Sequence, residues 1–275
     1  MSRFTILGAG GFIGGALVAR LRAGGHAVNA ITRAILPSFL AGGAPGGHVI
    51  HCIGLTADFR SRPLATADAH VGLVGRILAE VDLESFLFLS SSRVYARAEL
   101  GREDAEIAVQ PGQPGDLYNI TKLAGEALCL SDPRPAVRVA RLSNVYGRGM
   151  GTYSFLGQVL TEGAASGAVM LRQSLRSAKD YVALDDVVSA VPAIAERGQA
   201  RLYNVASGVN TSHDAIAGVL TRRLGWRVEV AETAAAVRFP RLDVTRLAVE
   251  FGAPASTVLE DLPGLADAVR REVAC

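Results

Sequence analysis

A tyrosine and a lysine four positions apart, Tyr118 and Lys122, open an apolar helical stretch. On a helix that spacing stacks the phenol and the ammonium on one face, one turn apart. A nearby cation favours phenolate over phenol, so such a phenol can exchange a proton with an alcohol or a carbonyl. Upstream, the apolar run SFLFLS leads into Ser90-Ser91-Ser92-Arg93-Val94-Tyr95. That arrangement sets hydroxyls at the carboxyl end of a strand, where open α/β sheets bind ligands. One serine there can bond a substrate oxygen, although capping and turn chemistry also favour serine. Of the 28 basic residues only Lys122 and Lys179 are lysines. A surface cation can be of either type, but a guanidinium is a poor substitute for a compact, titratable ammonium, so both lysines are functional candidates.

Tyr-x-x-x-Lys alone describes many helix surfaces, and a second motif gives it weight. Gly8-Ala9-Gly10-Gly11-Phe12-Ile13-Gly14 lies between an N-terminal β-rich run and an apolar periodic stretch. In that setting backbone N–H groups can approach a pyrophosphate at the positive end of the helix, and Gly8, Gly11, Phe12, Ile13 and Gly14 become candidate dinucleotide contacts. The second strand ends Ile31-Thr32-Arg33 without the acid that would accept from a ribose 2′-OH. Thr32 and Arg33 could instead hold a 2′-phosphate by charge-assisted hydrogen bonds, which favours NADP(H) over the alternative, NAD(H).

These residues need rigid elements to position them. Strands are predicted at 3–7, 26–33, 48–55, 85–90 and 136–142, and helices at 12–21, 66–82 and 117–130. The segment 35–47, with two prolines and four glycines, reads as a loop, and 111–115 as a Gly/Pro-rich link. Strands alternating with helices imply an α/β fold, a Rossmann-like doubly wound parallel sheet. After Tyr146-Gly147 the texture becomes mixed, then returns to an apolar helix at 186–196 and the strand RLYNVAS. The expected division is a dinucleotide-binding domain of 1–149 plus 180–207, with a smaller mixed α/β C-terminal lobe of 150–179 plus 208–275 for substrate.

Composition narrows the partners. A net charge of +2 without a basic stripe disfavours nucleic acid. Cys52, Cys129 and Cys275 are odd in number and widely spaced, which suggests neither a disulfide framework nor a metal site. No apolar run is long enough for a membrane span and the start lacks a signal-peptide pattern, so a cytoplasmic protein is expected. The apolar faces of the helices at 66–82 and 117–130 suit a homodimer axis, and burial within the monomer explains part of the same pattern.

Seven segments in order and spacing, GAGGFIG, VIHCIGL, FLFLSSSRVYA, YNITKLAGE, RLSNVYG, KDYVALDDV and YNVASG, resemble the extended short-chain dehydrogenases of the NAD-dependent epimerase/dehydratase family, of the type that modifies nucleotide sugars. The resemblance covers nearly the whole chain, densely to about residue 208. It implies that Tyr118 is the acid/base and that Lys122 holds the nicotinamide ribose and lowers the Tyr118 pKa. By the same resemblance Ser91, with Ser92 as the alternative, bonds the substrate oxygen. Ile53, Gly54 and Leu55 resemble the segment lining the cofactor, and Leu142 to Val145 the nicotinamide end of the site. Asn144 and Lys179 match sugar-diphosphate contacts, and Arg238 and Arg241 do so more loosely.

The departures from the family pattern also bear on the reaction. Dehydratases resemble Thr or Ser followed by two acids in the serine motif, whereas Ser91-Ser92-Arg93 has none. His70 stands where an Asn is usual, and a structural substitution is expected there. The first reading is a reductase of a keto group on a nucleotide-activated sugar. An epimerase using transient hydride transfer is the nearest rival, and a catalytically silent NADP(H)-binding regulator is the alternative of another class.

Overall fold

The computed structural model describes residues 1–42, 45–55 and 58–273. The first half of the chain runs β1 (Arg3–Leu7), α1 (Phe12–Ala23), β2 (Ala27–Ile31), α2 (Leu36–Ala41), β3 (His48–His51), α3 (Pro63–Ala67), α4 (Leu73–Glu80), β4 (Ser85–Ser91), α5 (Asp116–Ser131) and β5 (Val137–Leu142). It continues with β6 (Asn144–Tyr146), α6 (Phe155–Ser166), β7 (Ala168–Leu171), β8 (Ala178–Ala183), α7 (Leu184–Arg197) and β9 (Leu202–Val205). The remainder is β10 (Asn210–Ser212), α8 (His213–Leu224), β11 (Arg227–Val230), α9 (Thr245–Phe251) and α10 (Val258–Val273).

Six strands form a parallel sheet in the order β2-β1-β3-β4-β5-β9. Alternate residues of each strand point to opposite faces, and here both faces are covered. Phe4, Ile6, Ile50, Leu87, Leu89, Ala140 and Val205 pack with Leu17 and Leu21 of α1 and Val187, Val191 and Ile194 of α7. On the other face Leu7, Ile31, Val49, Phe86, Phe88 and Val139 pack with Val74 and Ile77 of α4 and Cys129 of α5. The chain therefore has the doubly wound α/β fold expected of it.

A second core joins α6, α8 and α10 through Leu156, Leu160, Ile216, Leu220, Leu262 and Ala266, with Trp226 among them. Two small sheets, β10-β8-β6 and β11-β7, accompany it. Leu247 of α9 packs instead against the core of the large sheet.

Three element expectations are corrected. The predicted loop 35–47 contains helix α2, because Pro37 falls in its first turn, where a missing N–H costs nothing. Its Leu36, Phe39 and Leu40 are drawn onto the apolar face beneath them, and Gly43 and Ala44 of that loop lie outside the described residues. The helix predicted over 66–82 is interrupted by a π-helical turn, Asp68–Gly72, which turns His70 inward. The strand expected over 48–55 stops at His51, which frees Ile53 to Leu55 to form a loop at the sheet's carboxyl edge. Cys52 and Cys129 are free thiols, and Cys275 lies outside the described residues. No helix among the described residues is long and apolar enough to cross a membrane.

Candidate active site

The glycine loop is built to bring backbone close to a ligand. Gly8 adopts φ +85°, and a side chain on Gly14 would overlap the Gly8 carbonyl, so α1 can start tight against β1. Gly11 is the N-cap of α1, no side chain caps that end, and the first turn carries no acid. A methyl built on Gly10 would meet nothing within 4 Å. Open space before uncapped helical N–H groups fits a pyrophosphate, so the residues present suit a dinucleotide. Thr32 and Arg33 follow β2 beside this loop, where Gly8 and Ala9 donate their N–H groups to the Ile31 carbonyl.

Tyr118, Lys122, Ser91 and Ser92 border a single cavity of about 530 Å³, together with Phe12 and Ile13 of α1, Gly54, Leu142, Asn144 and Lys179. The sequence candidates from both halves of the chain thus converge. Gly8, Gly11, Gly14, Thr32, Arg33, Ile53 and Leu55 lie outside this cavity's lining. So does Arg238, whose exposed side chain leaves the wall to Phe239 and Pro240.

Helix α5 carries Tyr118 and Lys122 one turn apart, with the ammonium 5.9 Å from the centre of the phenol ring. Lys122 Nζ donates to the Leu89 carbonyl at 2.8 Å and lies 4.7 Å from the centre of the Phe88 ring. Burial lowers its pKa to about 7, against the opposing pull of Glu126 and Cys52. The usual lysine value of 10.5 lies above this, so the folded protein binds fewer protons than the unfolded chain between the two. The cost of burying Lys122 is therefore complete below pH 7 and is relieved as pH rises toward 10.5. Lys122→Met is expected to raise stability by about 1–3 kcal/mol near pH 6 and by less near pH 10. Urea denaturation at the two pH values checks this, and equal gains at both would contradict it.

Ser91 ends β4 and caps the 3₁₀ turn Ser92–Arg97, its hydroxyl oxygen accepting the Arg93 N–H at 3.2 Å. That bond fixes the oxygen and leaves the hydroxyl hydrogen free to donate into the cavity. Asn144 donates from Nδ2 to the Asp180 carbonyl at 2.8 Å, and Asp180 in turn accepts from Ser207 and Val209. Lys179 lies 5.8 Å from the centre of the Phe155 ring, its pKa lowered by burial and by Arg93.

His70 packs edge-on to Tyr118, ring centres 5.4 Å apart. Thr121 donates its hydroxyl hydrogen to the Tyr118 carbonyl and so accepts from His70 Nδ1 at 2.9 Å. Nε2 is left as a bare acceptor, buried and without a partner among the described residues. A methyl on Gly54 would lie 3.1 Å from that nitrogen and 3.5 Å from Lys122 Nζ, so both border one small space. Burial, with Lys122 and His51 adding to it, lowers the His70 pKa to about 2 and keeps the ring neutral.

Beneath the site lies a charged network that reading of the sequence missed. Glu126, one turn beyond Lys122, accepts from Ser90 at 2.5 Å and from Arg141 Nη2 at 2.6 Å. Arg141 Nη1 donates to Tyr95 Oη at 2.7 Å, and Tyr95 donates to Asn204 at 3.0 Å. Two arginines in the otherwise apolar strand AVRVARL were the available signal. Phe59, Arg60 and Arg93, on the approach to Tyr118, were also missed as a group.

The sequence profile of the NAD dependent epimerase/dehydratase family matches residues 4–206. A dTDP-glucose 4,6-dehydratase of Streptomyces griseus is 29% identical over 187 residues, 65% of this chain and 56% of that protein. The chain thus spans little more than half the length of that curated relative. RMD from Pseudomonas aeruginosa, solved with NADPH, superposes with a TM-score of 0.82 at 23% identity, covering 99% of this chain and 100% of that one. A UDP-glucuronic acid 4-epimerase from Bacillus cereus, solved with UDP-glucuronic acid and NAD, gives 0.80 at 16% identity, covering 98% and 99%. At those identities the structural likeness is one of fold. The profile match over most of the sequence makes this chain a member of the NAD-dependent epimerase/dehydratase family of enzymes, whose cofactor is NAD(P).

Proposed function

We propose that this protein is an NAD(P)-dependent oxidoreductase that reduces a keto group of a nucleotide-activated sugar, with Tyr118 as the acid. The observation that carries this reading is the convergence of Ser91, Tyr118 and Lys122 with the start of α1 on one cavity. When bound, the nicotinamide supplies the hydride. Ser91 donates its hydroxyl hydrogen to the carbonyl oxygen, where negative charge develops, and Tyr118 gives that oxygen its phenolic proton. Lys122 then stabilises the charge left on the phenol. Reduction is favoured over dehydration because Arg93 stands where a second proton-transferring acid would be required. We assign residues 1–149 with 180–207 to the cofactor and 150–179 with 208–275 to the substrate.

The test is to supply 4-keto nucleotide sugars with NADPH and to follow cofactor absorbance. A reductase consumes NADPH in proportion to product. An epimerase, the second reading, converts the corresponding hydroxy nucleotide sugar, supplied with NAD(P)⁺, to its epimer with no net change in absorbance, and a silent binding protein does neither. The cofactor preference has its own test. Arg33 is exposed and has no ion-pair partner among the described residues. Arg33→Ala is expected to weaken NADPH binding by about 10-fold and to leave NADH unchanged in fluorescence titrations. An equal effect on both cofactors would remove the case for a 2′-phosphate contact.

A further inference from the structure

We infer that Arg93 and Arg60 form a carboxylate-binding subsite beside Tyr118, and that the sugar presented to Tyr118 is therefore an acidic one, a hexuronic acid or its keto form, rather than a neutral hexose. This rests on the nucleotide-sugar reading above and names the substrate class of that same site.

The two guanidinium groups converge where like charges should separate. Phe59, almost fully buried, holds Arg60 Cζ 4.5 Å and Arg93 Cζ 5.3 Å from its ring centre. Its ring lies 5.5 Å from that of Tyr118, and Arg93 Cζ is 5.7 Å from the centre of the phenol. A guanidinium stacks readily on aromatic faces, so these rings fix the direction in which the arginines point. Both point toward Gly115. A methyl built there would lie 3.4 Å from Arg93 Nη2 and 3.7 Å from Arg60 Nη2, so an atom in that space borders both.

No acid among the described residues forms an ion pair with either guanidinium. Among the described residues Arg93 Nη2 makes one hydrogen bond, a long one of 3.5 Å to the Gly115 carbonyl. The acids close in sequence are committed elsewhere, Asp58 to Arg62 at 3.1 Å and Asp116 to Arg97, the Gln110 N–H and Asn119. Burial and the charge of Arg60 together lower the Arg93 pKa, opposed by Tyr118 and Asp116. Lys179, at the other side of the cavity, feels Arg93 in the same way. A partly buried cation repelled from two sides and without an ion-pair partner among the described residues is stabilised by an anion brought in from outside.

The position identifies that anion. Arg93 lines the cavity with Ser91, Ser92 and Tyr118, at the end where the reacting oxygen would sit. Its distance from the phenol is no greater than one pyranose ring with its substituents can span. A hexuronate carries its carboxylate on a ring carbon adjacent to a hydroxyl-bearing carbon. Its reacting oxygen can therefore face Tyr118 while the carboxylate takes the planar fork of Arg93. A diphosphate held by Arg93 would instead move the sugar past Tyr118.

Isothermal titration calorimetry on the protein loaded with NADP⁺ or NAD⁺ tests this. The ligands are UDP, dTDP and GDP, and each nucleotide's neutral and acidic sugar, such as UDP-glucose and UDP-glucuronate. For the nucleotide that binds, the acidic sugar is expected to bind about 10-fold or more tightly than the neutral one. Arg93→Gln and Arg60→Gln should each bring that ratio to within about 3-fold without changing affinity for the free nucleoside diphosphate, and Arg93→Lys should keep part of it. Melting temperature and NAD(P)H affinity show whether Arg93→Gln folds, and Arg60→Gln, at an exposed position, is read if it does not. Equal binding of neutral and acidic sugars by the wild-type protein overturns this inference alone. Equal weakening of the nucleoside diphosphate would assign Arg93 to the diphosphate and overturn it too. If no nucleotide or nucleotide sugar binds, the reading beneath it fails as well.

Discussion

Tyr118→Phe is expected to lower kcat for carbonyl reduction by about 10²- to 10⁴-fold, the usual contribution of a positioned general acid. The loss is expected in the chemical step, because the neighbouring groups of the site have anchors of their own. Lys122 is anchored to the Leu89 carbonyl, and Ser91 by the Arg93 N–H. NAD(P)H affinity should therefore stay within about 3-fold of wild type, since no cofactor contact proposed for the glycine loop is touched. Single-turnover oxidation of bound NADPH reads the chemical step directly. A rate within about 10-fold of wild type would mean that another group supplies the proton.

The second large effect is on stability. Glu126 and Arg141 are both nearly inaccessible, and their pairing ties α5, which carries Tyr118 and Lys122, to the ends of β4 and β5. Glu126→Ala leaves a buried guanidinium uncompensated and removes the acceptor of Ser90, which should cost about 3–5 kcal/mol. Replacing both partners, Glu126→Leu with Arg141→Leu, should recover part of that loss, because the desolvated charges disappear together. Urea denaturation of the two variants makes the comparison. A cost below about 1 kcal/mol for Glu126→Ala would show that the pair is hydrated and contributes little.

What could be read in the sequence was whatever local chemistry dictates. The alternation of strand and helix, the glycine turn into α1 and the Tyr118–Lys122 face all follow from short-range periodicity. Elements set by tertiary contact were not legible. Helix α2 forms because Leu36, Phe39 and Leu40 find an apolar surface, overriding a glycine- and proline-rich composition. The π-helical turn at Asp68–Gly72 has no local signature, and it is what turns His70 toward Thr121 and Gly54. In the site, spacing exposed the residues that share a helix or lie at a strand end. Arg60 and Arg93 are distant in sequence and meet at Phe59 and Gly115, so their convergence had to be seen in three dimensions.

Isotope transfer tests the central claim most directly. The protein is incubated with a 4-keto nucleotide sugar and NADPH deuterated at the transferable position of the nicotinamide. Hydride transfer at the Tyr118 site predicts one deuterium on the newly formed carbinol carbon of the sugar, one NADP⁺ for each, and almost none in the Tyr118→Phe variant. Product without the label, or label retained in the cofactor at full conversion, would contradict the account.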